Sequence, residues 1–383
     1  MTALNIRSFL KRVQQPIKES HLAMEQGISH SENLDYYHDI GYFTKEYALQ
    51  VSGEEIKGEK IFLGSGARPL IPPIKGLDSV PYLTNENVFS LQEKPHSLII
   101  IGGGYVAMEF AHFFSAVGTE VTVFQRGNRL LPNTESEISE VLKNQLAKRM
   151  QVFLNTEVFE VHQKGDEIVV QGKESTSEKE ISIAAEKIFV ATGRKSNADL
   201  LKVENTGVKT DARGYIKVNE YLETSKKNIW AFGDAIGKAM FKHVANEEAS
   251  IAWNNAFHEK KTKLDYQVIP YAVFTYPEIA AVGITEEEAK KHSEILVGTA
   301  RYSDVAKGEA MMEQEGFAKV IIEKHTGKIL GFHIIGPYAS LLIQEVINAM
   351  ALGGNIAFVS HGMHIHPALP ELILRTLGNL QEV

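Results

Sequence analysis

The chain has 383 residues, of which 44% are hydrophobic and 23% charged, a balance typical of globular proteins with a buried core. This length predicts two or three domains. The net charge of −8 argues against broad nucleic-acid binding, which needs a basic face that releases counterions. The first residues, Met1 to Arg7, lack the apolar stretch of a signal peptide, and no apolar run approaches the ~20 residues of a membrane span. We therefore expect a cytoplasmic protein without a nucleic-acid or membrane partner.

A predicted helix and several short β-type runs open the chain. Residues Ile6 to Met24 alternate polar and apolar side chains at helical spacing, which predicts an amphipathic helix. Short β-type runs follow from Tyr42 to Leu63 and end in a glycine turn at Gly64–Pro69. The whole sequence contains no cysteine, so disulfide bonds, thiolate metal sites and a cysteine nucleophile are excluded within this chain.

The most informative segment is a glycine-rich turn after an apolar run. Residues Leu98 to Ile101 predict a strand buried on both faces, and Gly102-x-Gly104-x-x-Ala107 then leads into a helical segment. Gly102 permits the tight turn, Gly104 lets the main chain approach a pyrophosphate, and Ala107 lets the helix pack closely on the strand. N–H groups at the helix N-terminus favour the bound anion. The pattern predicts dinucleotide binding, and its alternative is a fortuitous turn.

The end of the next predicted strand bears on the choice of nucleotide. The run Glu120–Phe124 arrives where a βαβ unit needs its second strand, and it leads to Gln125, Arg126 and Arg129 with no carboxylate. An acidic residue at this place binds the ribose 2′-hydroxyl of NAD, whereas arginine suits a 2′-phosphate. We therefore expect a preference for NADP over NAD. The alternative is that both arginines are solvated loop residues.

Further along the chain, two more buried strands are predicted to run into glycine turns. Lys187–Val190 leads into Ala191–Arg194, and Asn228–Ala231 leads into Phe232–Asp234. Between the nucleotide motif and these strands, the polar stretch from Lys164 to Glu180 indicates exposed hairpin turns. A charged connector (His258–Lys263) precedes β-type runs (Val268–Val282, Ala318–Ile335) that alternate with helical ones (Thr285–Lys291, Ala339–Ala351).

Six segments match one protein family in the order in which that family has them. They are Gly64–Pro69, Gly102–Glu109, Ala191–Arg194 with Asn197, Thr224–Ser225 with Ala231–Asp234, Phe274–Glu278, and His364–Glu371. Together they resemble the pyridine nucleotide-disulfide oxidoreductases, the flavoprotein disulfide reductases. Within that family, three stretches (Ser196–Leu201, Lys242–Asn246 and His366–Glu371) are most similar to mycothione reductase and related archaeal-type dihydrolipoamide dehydrogenases. One such match would be weak, but six in order are specific.

The resemblance implies an α/β fold with two Rossmann-like domains, for FAD and NADP, and a C-terminal α+β dimerisation domain. We expect an incomplete FAD-binding domain in residues 1–87 and 201–262, an NAD(P)-binding domain in residues 88–200, and a dimerisation domain in residues 263–383. The implied cofactor-binding residues are Gly66, Arg68, Gly102, Gly104, Tyr105, Ala107, Glu109, Gln125, Arg126, Arg129, Gly193, Arg194, Gly233, Asp234 and Ala245. Tyr105 is implied to line the nicotinamide pocket, and its alternative is a half-buried helix residue.

The sequence departs from the family ahead of the first matched segment. Family members open with a strand and a Gly-x-Gly-x-x-Gly turn for the ADP half of FAD, followed by Cys-x-x-x-x-Cys and a neighbouring Lys, and this sequence has none of these before the first match. The resemblance therefore implies weaker FAD binding than in the family. It also implies that this chain alone does not reduce disulfides. The family pairs the residue that matches Glu109 with the missing Lys.

Two residues near the C-terminus resemble the family's acid–base pair. The resemblance implies that His366 exchanges a proton with a thiol of the partner subunit and that Glu371 orients its imidazole. Because the chain has no cysteine, His366 would have no thiol to serve. One alternative is a packing or surface-turn histidine. Another is a metal site of His361, His364 and His366, which lacks a nearby carboxylate or thiolate to complete it, and we expect no metal site.

We expect a FAD-linked NAD(P)H oxidoreductase of the disulfide-reductase type that acts on a small-molecule substrate as a homodimer. Without a redox disulfide, its activity would pass electrons from NAD(P)H through FAD to quinones, dyes or oxygen. The alternatives are a non-catalytic NADP-binding and dimerising module, or a fragment of a full-length reductase. NAD remains an alternative to NADP.

Overall fold

The computed structural model describes residues 6–383, which form two compact units. The first unit takes Met1–Ile71, described from Ile6 onward, together with Asn85–Lys94 and Gly193–Leu264. The second unit takes Pro72–Thr84, Pro95–Thr192 and Asp265–Val383. Each unit is therefore assembled from separate stretches of chain. The predicted division into domains at residues 87, 200 and 262 stays a prediction.

The strands, in chain order, are β1 (Tyr42–Lys45), β2 (Ala48–Val51), β3 (Glu54–Lys57), β4 (Ile61–Leu63), β5 (Ala67–Pro69), β6 (Ser97–Ile101), β7 (Glu120–Phe124), β8 (Gln151–Phe153), β9 (Thr156–Lys164), β10 (Glu167–Glu174), β11 (Glu180–Ala185), β12 (Lys187–Val190), β13 (Arg194–Ser196), β14 (Ile229–Ala231), β15 (Pro270–Val273), β16 (Ile279–Gly283), β17 (Ile295–Arg301), β18 (Phe317–Glu323), β19 (Ile329–Ile335) and β20 (Gln381–Glu382).

The α-helices are α1 (Ile6–Ser29), α2 (Tyr105–Ala116), α3 (Ser136–Ala147), α4 (Lys242–Phe257), α5 (Glu286–Ala289), α6 (Ala306–Ala310), α7 (Ala339–Leu342), α8 (Gln344–Ala351), α9 (Ala357–Ser360) and α10 (Glu371–Gly378). No helix within residues 6–383 combines the length and the apolar character that crossing a membrane requires.

A four-stranded parallel sheet, in the order β12-β6-β7-β8, forms one part of the second unit. Residues Leu98–Ile101 of the central strand β6 are buried because both neighbours and both faces cover them. Helix α2 joins β6 to β7 and buries Ala107, Met108, Ala111 and Phe114. The carboxyl ends of these parallel strands consequently share one edge of the sheet, where ligands of such folds bind.

A second sheet of this unit, in the order β11-β10-β9, corrects one sequence prediction. The polar stretch from Lys164 to Glu180 was expected to form exposed hairpin turns, but Glu167–Glu174 is the central strand of this antiparallel sheet. Its Ile168, Val169 and Val170 are buried among the strands on either side. The three apolar residues determine the structure of this stretch despite its charged flanks, because pairing with β9 and β11 buries them.

The C-terminal part of the second unit is built on a six-stranded sheet in the order β15-β16-β19-β18-β17-β20, with every pair antiparallel. The strands alternate with helices in the chain, as the sequence from Val268 to Ala351 predicts. One face of the sheet and helices α8 and α10 share a hydrophobic core that includes Phe332, Val346 and Leu372. The C-terminal histidine segment lies between α9 and α10 in this part of the unit.

The first unit contains short sheets and two long helices. Its sheets are β1-β2-β3, the antiparallel pair β13-β5 and the parallel pair β14-β4. Helix α1 extends from Ile6 to Ser29, five residues beyond the predicted end at Met24, and buries only Ile6 and Leu10. Helix α4 buries Val244, Glu248, Ile251, Ala252 and Asn255, so its packing against the unit is closer than that of α1.

A buried lysine ties the start of α3, in the part of the second unit that contains the parallel sheet, to the six-stranded sheet. The Nζ atom of Lys319, on β18, lies 2.7 Å from a carboxylate oxygen of Glu135, 2.7 Å from one of Glu137 and 2.6 Å from one of Glu286. An ammonium group has three N–H donors, so this group is fully satisfied. Burial opposes the charge of Glu137, yet hydrogen bonding to Lys319 lowers the pKa of Glu137 to about 2.

Replacing Lys319 with methionine is expected to lower the free energy of unfolding by about 3–5 kcal/mol at pH 7, because three carboxylates would lose their buried counter-charge. Lys291→Met, which removes an exposed partner of Glu287, should cost no more than about 1 kcal/mol. Urea unfolding of both variants measures the difference. Because the pKa of Glu137 is lowered from 4.5 to about 2, its ion pair stabilises the fold fully above pH 4.5, and this stabilisation is lost as the pH falls towards 2. The difference in unfolding free energy between wild type and Lys319→Met should therefore shrink on acidification. Equal urea midpoints at pH 7 would contradict this role.

Candidate functional site

The predicted dinucleotide turn lies at the carboxyl end of β6. The N–H of Gly102 donates to the Phe124 carbonyl of β7 at 2.8 Å, which ties the turn to the neighbouring strand. Gly102 has a φ of 127°, and a Cβ added there would lie 2.2 Å from the Ala191 carbonyl oxygen, so only glycine fits. A Cβ added at Gly104, directly before α2, would have no protein atom within 4 Å. The space in front of the helix N-terminus is therefore open, as the approach of a pyrophosphate requires.

Gln125, Arg126 and Arg129, which follow β7, differ in how firmly protein contacts hold their side chains. Gln125 packs over the turn, because a Cβ added at Gly103 would lie 2.7 Å from its side-chain Cδ, and its amide donates to the Arg129 carbonyl at 3.1 Å. The guanidinium of Arg126 is 79% exposed and lies 3.7 Å from Glu157, an exposed pair of little energetic weight. The guanidinium of Arg129 instead donates to the Pro132 carbonyl at 2.8 Å. Of the two arginines, Arg126 is the less constrained.

Tyr105 and Glu109 lie one turn apart on α2. Tyr105 is 36% exposed, whereas Ala107 between them is fully buried, as close packing of the helix on the strand requires. Glu109 accepts a hydrogen bond from the Phe274 N–H at 2.9 Å. No lysine or arginine within residues 6–383 forms an ion pair with Glu109. Burial therefore raises the pKa of the Glu109 carboxyl, and the bond from Phe274 offsets only part of this rise.

In the first unit, the two later glycine turns meet around an ion pair. The Nε atom of Arg194, on β13, lies 3.2 Å from a carboxylate oxygen of Asp234, directly after β14. Gly233 has a φ of 67°, and a Cβ added there would lie 3.3 Å from Cβ of Ala245 on α4. Arg194, Gly233, Asp234 and Ala245 are thus neighbours. Sequence reasoning missed Glu248, one turn after Ala245, whose carboxylate accepts the Gly233 N–H at 2.6 Å.

The Gly64–Pro69 turn is held by side chains of the segment that follows β13. Arg68 donates to both carboxylate oxygens of Asp199, at 2.8 and 2.7 Å. This bidentate pair raises the pKa of Arg68 and lowers that of Asp199. Asn197 donates to the Ser65 carbonyl at 2.9 Å and its N–H donates to Gly66 at 3.1 Å. Arg68, predicted to bind a cofactor, is therefore committed to the architecture of the turn.

The first unit fits one part of FAD better than another. The buried hydroxyl of Ser65 has no hydrogen-bond partner of its own among the described residues, and Asp234 offers carboxylate oxygens beside Gly233. These groups suit hydroxyl-bearing parts of a flavin cofactor. In the described part of this unit, however, no buried strand runs through a glycine-rich turn into a helix of the kind that cradles a pyrophosphate. Gly193, with a φ of 136°, directly precedes β13 and contributes a turn but no helix.

Near the C-terminus, His366 and Glu371 form a hydrogen-bonded pair. The Nδ1 atom of His366 lies 2.8 Å from Glu371 Oε1, and the second oxygen of Glu371 accepts the Ala368 N–H at 2.9 Å. These two hydrogen bonds lower the pKa of the Glu371 carboxyl, and the bond from the Ala368 N–H contributes more than the bond from His366. The His366 side chain is 70% exposed, with Nε2 on the side of the ring away from Nδ1. An ionised Glu371 thus orients an imidazole that can exchange a proton at Nε2.

His364 has its own carboxylate partner, which sequence reasoning missed. Its Nε2 lies 3.1 Å from Glu345 on α8, and its Nδ1 lies 3.0 Å from the Gly362 carbonyl. Both ring nitrogens are engaged, whereas the imidazole of His361 is exposed. Glu345 is 19 residues before His364 in the sequence, and the pair forms because α8 packs beside the histidine segment. The structure gives each of the two later histidines a separate glutamate.

These features define a class of protein: a mixed α/β protein with strand–glycine turns of the kind found in dinucleotide-binding folds and a C-terminal antiparallel sheet. The model of the pyridine nucleotide-disulphide oxidoreductase family matches residues 7–249, and the model of that family's dimerisation domain matches residues 269–376. The chain belongs to the pyridine nucleotide-disulphide oxidoreductase family. The resemblance inferred from six segments, and the fold class it implies, are thereby confirmed.

Several relatives match over most of the chain. Mycothione reductase of Mycobacterium tuberculosis is 38% identical over 362 residues, which are 91% of this chain and 78% of the relative. Dihydrolipoyl dehydrogenase of Synechocystis sp. is 34% identical over 330 residues, 83% of this chain and 69% of the relative. Among solved structures, the HOCl-induced flavoprotein disulfide reductase RclA from Escherichia coli superposes with a TM-score of 0.89 at 26% identity, over 98% of this chain and 86% of that chain. The family depends on FAD and NAD(P)H, so this chain is a flavoprotein oxidoreductase of the disulfide-reductase family.

Glu109→Gln is expected to raise the thermal midpoint of the protein at pH 8 and to leave it unchanged at pH 4. A folded-state pKa above the ordinary value of 4.5 makes the ionised carboxyl unfavourable, so the destabilisation is absent at low pH and grows as the pH rises through the folded pKa. Glutamine keeps the acceptor for Phe274. Glu109→Ala, the control, loses that acceptor and should be less stable than Glu109→Gln by about 0.5–1.5 kcal/mol. A lower midpoint for Glu109→Gln at pH 8 would mean that a cation pairs with this carboxylate.

Proposed function

We propose that this chain oxidises NADPH and passes the electrons through FAD to quinones, dyes or oxygen, and that it does not reduce disulfides by itself. One observation carries the proposal. The nucleotide turn, the Arg194–Asp234 pair and the His366–Glu371 pair are all assembled, in a chain without a cysteine. A dithiol that could accept electrons from the flavin and hand them to a disulfide is thus absent. The parental substrate class that we infer is a low-molecular-weight disulfide or dithiol.

The chain's own residues would hold both nucleotides and orient them. Gly102 and Gly104 shape the turn on which the NADPH pyrophosphate would lie, at the N-terminus of α2. Asp234 and Ser65 would accept or donate hydrogen bonds to FAD, and Arg194 would balance the charge of Asp234. When bound, FAD supplies the acceptor for the hydride of the reduced nicotinamide. Glu109 keeps α2 in contact with the main chain at Phe274.

A preference for NADPH over NADH is supported by Arg126. Its guanidinium lies after the carboxyl end of β7, and within residues 6–383 its one ion-pair partner is the exposed Glu157, so it is available to a 2′-phosphate. Arg129 was predicted to share this role, and this stays a prediction, with one N–H of its guanidinium donating to the Pro132 carbonyl. NAD stays the alternative.

A homodimer is supported by the dimerisation domain. Several large apolar side chains of this domain are exposed, among them Leu341, Leu352 and Phe358. Exposed apolar groups on this scale mark interaction surfaces. The cytoplasmic location and the absence of nucleic-acid and membrane partners stay predictions of the sequence.

Arg126→Gln is expected to weaken NADPH binding about tenfold and to leave NADH binding unchanged. A charge-assisted hydrogen bond is worth roughly 1.5–3 kcal/mol, and 1.4 kcal/mol corresponds to tenfold in affinity. Arg213→Gln, which removes an exposed arginine of the first unit, is the matched control. Isothermal titration with both nucleotides measures the effect. Wild-type binding of NADH as tight as that of NADPH would refute the preference.

The visible spectrum of the purified protein, before and after NADPH, tests the proposed activity. We expect a flavin absorbance that bleaches on NADPH addition, quinone reduction that follows, and no reduction of lipoamide, glutathione disulfide or mycothione. Gly104→Asp, which puts a carboxylate where the pyrophosphate would lie, should abolish the bleaching, whereas Gly27→Asp on exposed α1 should not. A colourless protein that binds NADPH would support the non-catalytic module instead.

A further inference from the structure

The first unit has a cavity at the amino-terminal ends of its parallel strand pair. Strands β4 and β14 run in the same direction, with Ile61 opposite Ile229, and residues directly before each strand line the cavity. Its volume of about 370 Å³ is at the small end of the range for ligand pockets. Asp234 comes after the carboxyl end of β14. The cavity is therefore at the opposite end of the strand pair from this predicted cofactor residue.

The charge of the cavity is opposite to that of the whole chain. The described residues that line it include one carboxylate, that of Glu223, and four lysines, namely Lys60, Lys226, Lys227 and Lys261. The chain as a whole has a net charge of −8. A concave surface with an excess of one sign of charge concentrates counter-ions from solution. The cavity therefore favours an anionic ligand.

Two of the four lysines already have a glutamate partner. Lys226 forms an ion pair with Glu46, and Lys261 forms one with Glu223. Lys60 and Lys227, which also line the cavity, form no ion pair within residues 6–383. Two positive charges are thus left without a counter-charge from the described part of the protein. This excess suits a ligand that carries two negative charges.

Aromatic rings hold the ammonium group of Lys60 beside the cavity. Its Nζ atom lies 5.9 Å from the ring centroid of Trp230 and 5.3 Å from that of Phe257. Cation–π contacts of this kind position an ammonium group, but they do not give its three N–H donors an oxygen acceptor. Lys60 is therefore placed before a ligand arrives and keeps its positive charge for that ligand.

Two uncharged donors of the lining also lack acceptors. The buried indole Nε1 of Trp230 has no hydrogen-bond partner among residues 6–383. The side-chain amide of Asn228, the residue before β14, forms no hydrogen bond within the same part of the chain. A buried donor without an acceptor is unfavourable, and native proteins satisfy nearly all such groups. A ligand rich in oxygen would supply acceptors for both donors.

The turn that carries these groups is fixed by main-chain contacts. The carbonyl of Lys226 accepts the Ile229 N–H at 3.2 Å, and the carbonyl of Asn228 accepts the Ile61 N–H at 2.9 Å. The carbonyl of Lys227, between them, accepts the hydroxyl of Tyr47 at 2.8 Å. All three consecutive carbonyls are thus engaged. A turn held in this way lowers the entropy that ligand binding would otherwise cost.

We propose that this cavity binds a small phosphate ester. Its dianionic phosphate group matches the two unpaired lysines, and its three terminal oxygens accept hydrogen bonds from several directions, as donors on different elements require. A carboxylate carries one charge and has both oxygens in one plane. The volume of the cavity leaves room for the organic part of the ester beside the phosphate. The site is independent of the proposed flavin-dependent function.

Tryptophan fluorescence can report on this site selectively. The chain has two tryptophans, so Trp253→Phe leaves Trp230 as the one indole. Titration of this variant with glycerol 3-phosphate at constant ionic strength should change the Trp230 emission saturably and raise the thermal midpoint. Inorganic phosphate should bind at least threefold more weakly, and malonate should give no saturable change. Gly104→Asp, which alters the dinucleotide turn, should leave the titration unchanged.

Variants of the unpaired lysines test the proposed contacts. Lys60→Met and Lys227→Met should each weaken glycerol 3-phosphate binding at least about tenfold, because each removes a charge-assisted hydrogen bond. Lys202→Met is the matched control, since Lys202 also lies over an aromatic ring, 4.1 Å from the centroid of Tyr42, but does not line the cavity. It should bind as wild type does. Circular dichroism checks that all variants are folded.

The proposal would be overturned by the absence of a saturable change in Trp230 emission, or by wild-type affinity in both Lys60→Met and Lys227→Met. Equal weakening by Lys202→Met would also overturn it, because binding would then depend on general charge. Loss of binding in Gly104→Asp would instead assign the phosphate to the dinucleotide turn. Equal affinity for inorganic phosphate and glycerol 3-phosphate would rule out an ester as the ligand.

Discussion

The burial of β6 between two parallel neighbours is the constraint on which the nucleotide site depends. Leu98–Ile101 are covered on both faces and paired on both edges, so no surface of this strand is open to a ligand except its carboxyl end. The turn at Gly102 begins there. The neighbouring strand β7 ends at the same edge, which brings Gln125 over the turn. The site is thus a consequence of the sheet, and its specificity depends on the few side chains that follow each strand.

Long-range polar contacts divide the predicted site residues into those that hold the architecture and those left for ligands. Arg68 is held by Asp199, and one N–H of Arg129 donates to the Pro132 carbonyl, so both guanidiniums have protein partners that the sequence did not indicate. The guanidinium of Arg126, by contrast, is 79% exposed and its partner Glu157 is exposed as well. A charged residue within a motif is therefore a ligand-binding candidate only when no nearer group of the protein already satisfies it.

Local patterns predicted much of the fold because they depend on neighbours in sequence. The apolar run before Gly102, the helix from Ile6 and the alternation after Pro270 all appear in the structure. The strand Glu167–Glu174 was missed because Ile168–Val170 is too short to stand out from its charged flanks. The partners of Lys319 could not be predicted, since Glu135 and Glu286 come from remote parts of the chain and only the tertiary fold brings them together. The family resemblance supplied the order of the parts, but not these contacts.

The histidine segment shows how the His366–Glu371 pair is held in place in a chain that has no cysteine thiol. Glu371 is the first residue of α10, where the helix N-terminus favours a carboxylate, and it accepts the Ala368 N–H as well as the His366 imidazole. His364 likewise links Gly362 to Glu345 on α8. Both glutamates thus hold the turn between α9 and α10 in place whether or not a thiol approaches His366. The His366–Glu371 pair is therefore part of the packed structure of the C-terminal domain, with the imidazole open to solvent.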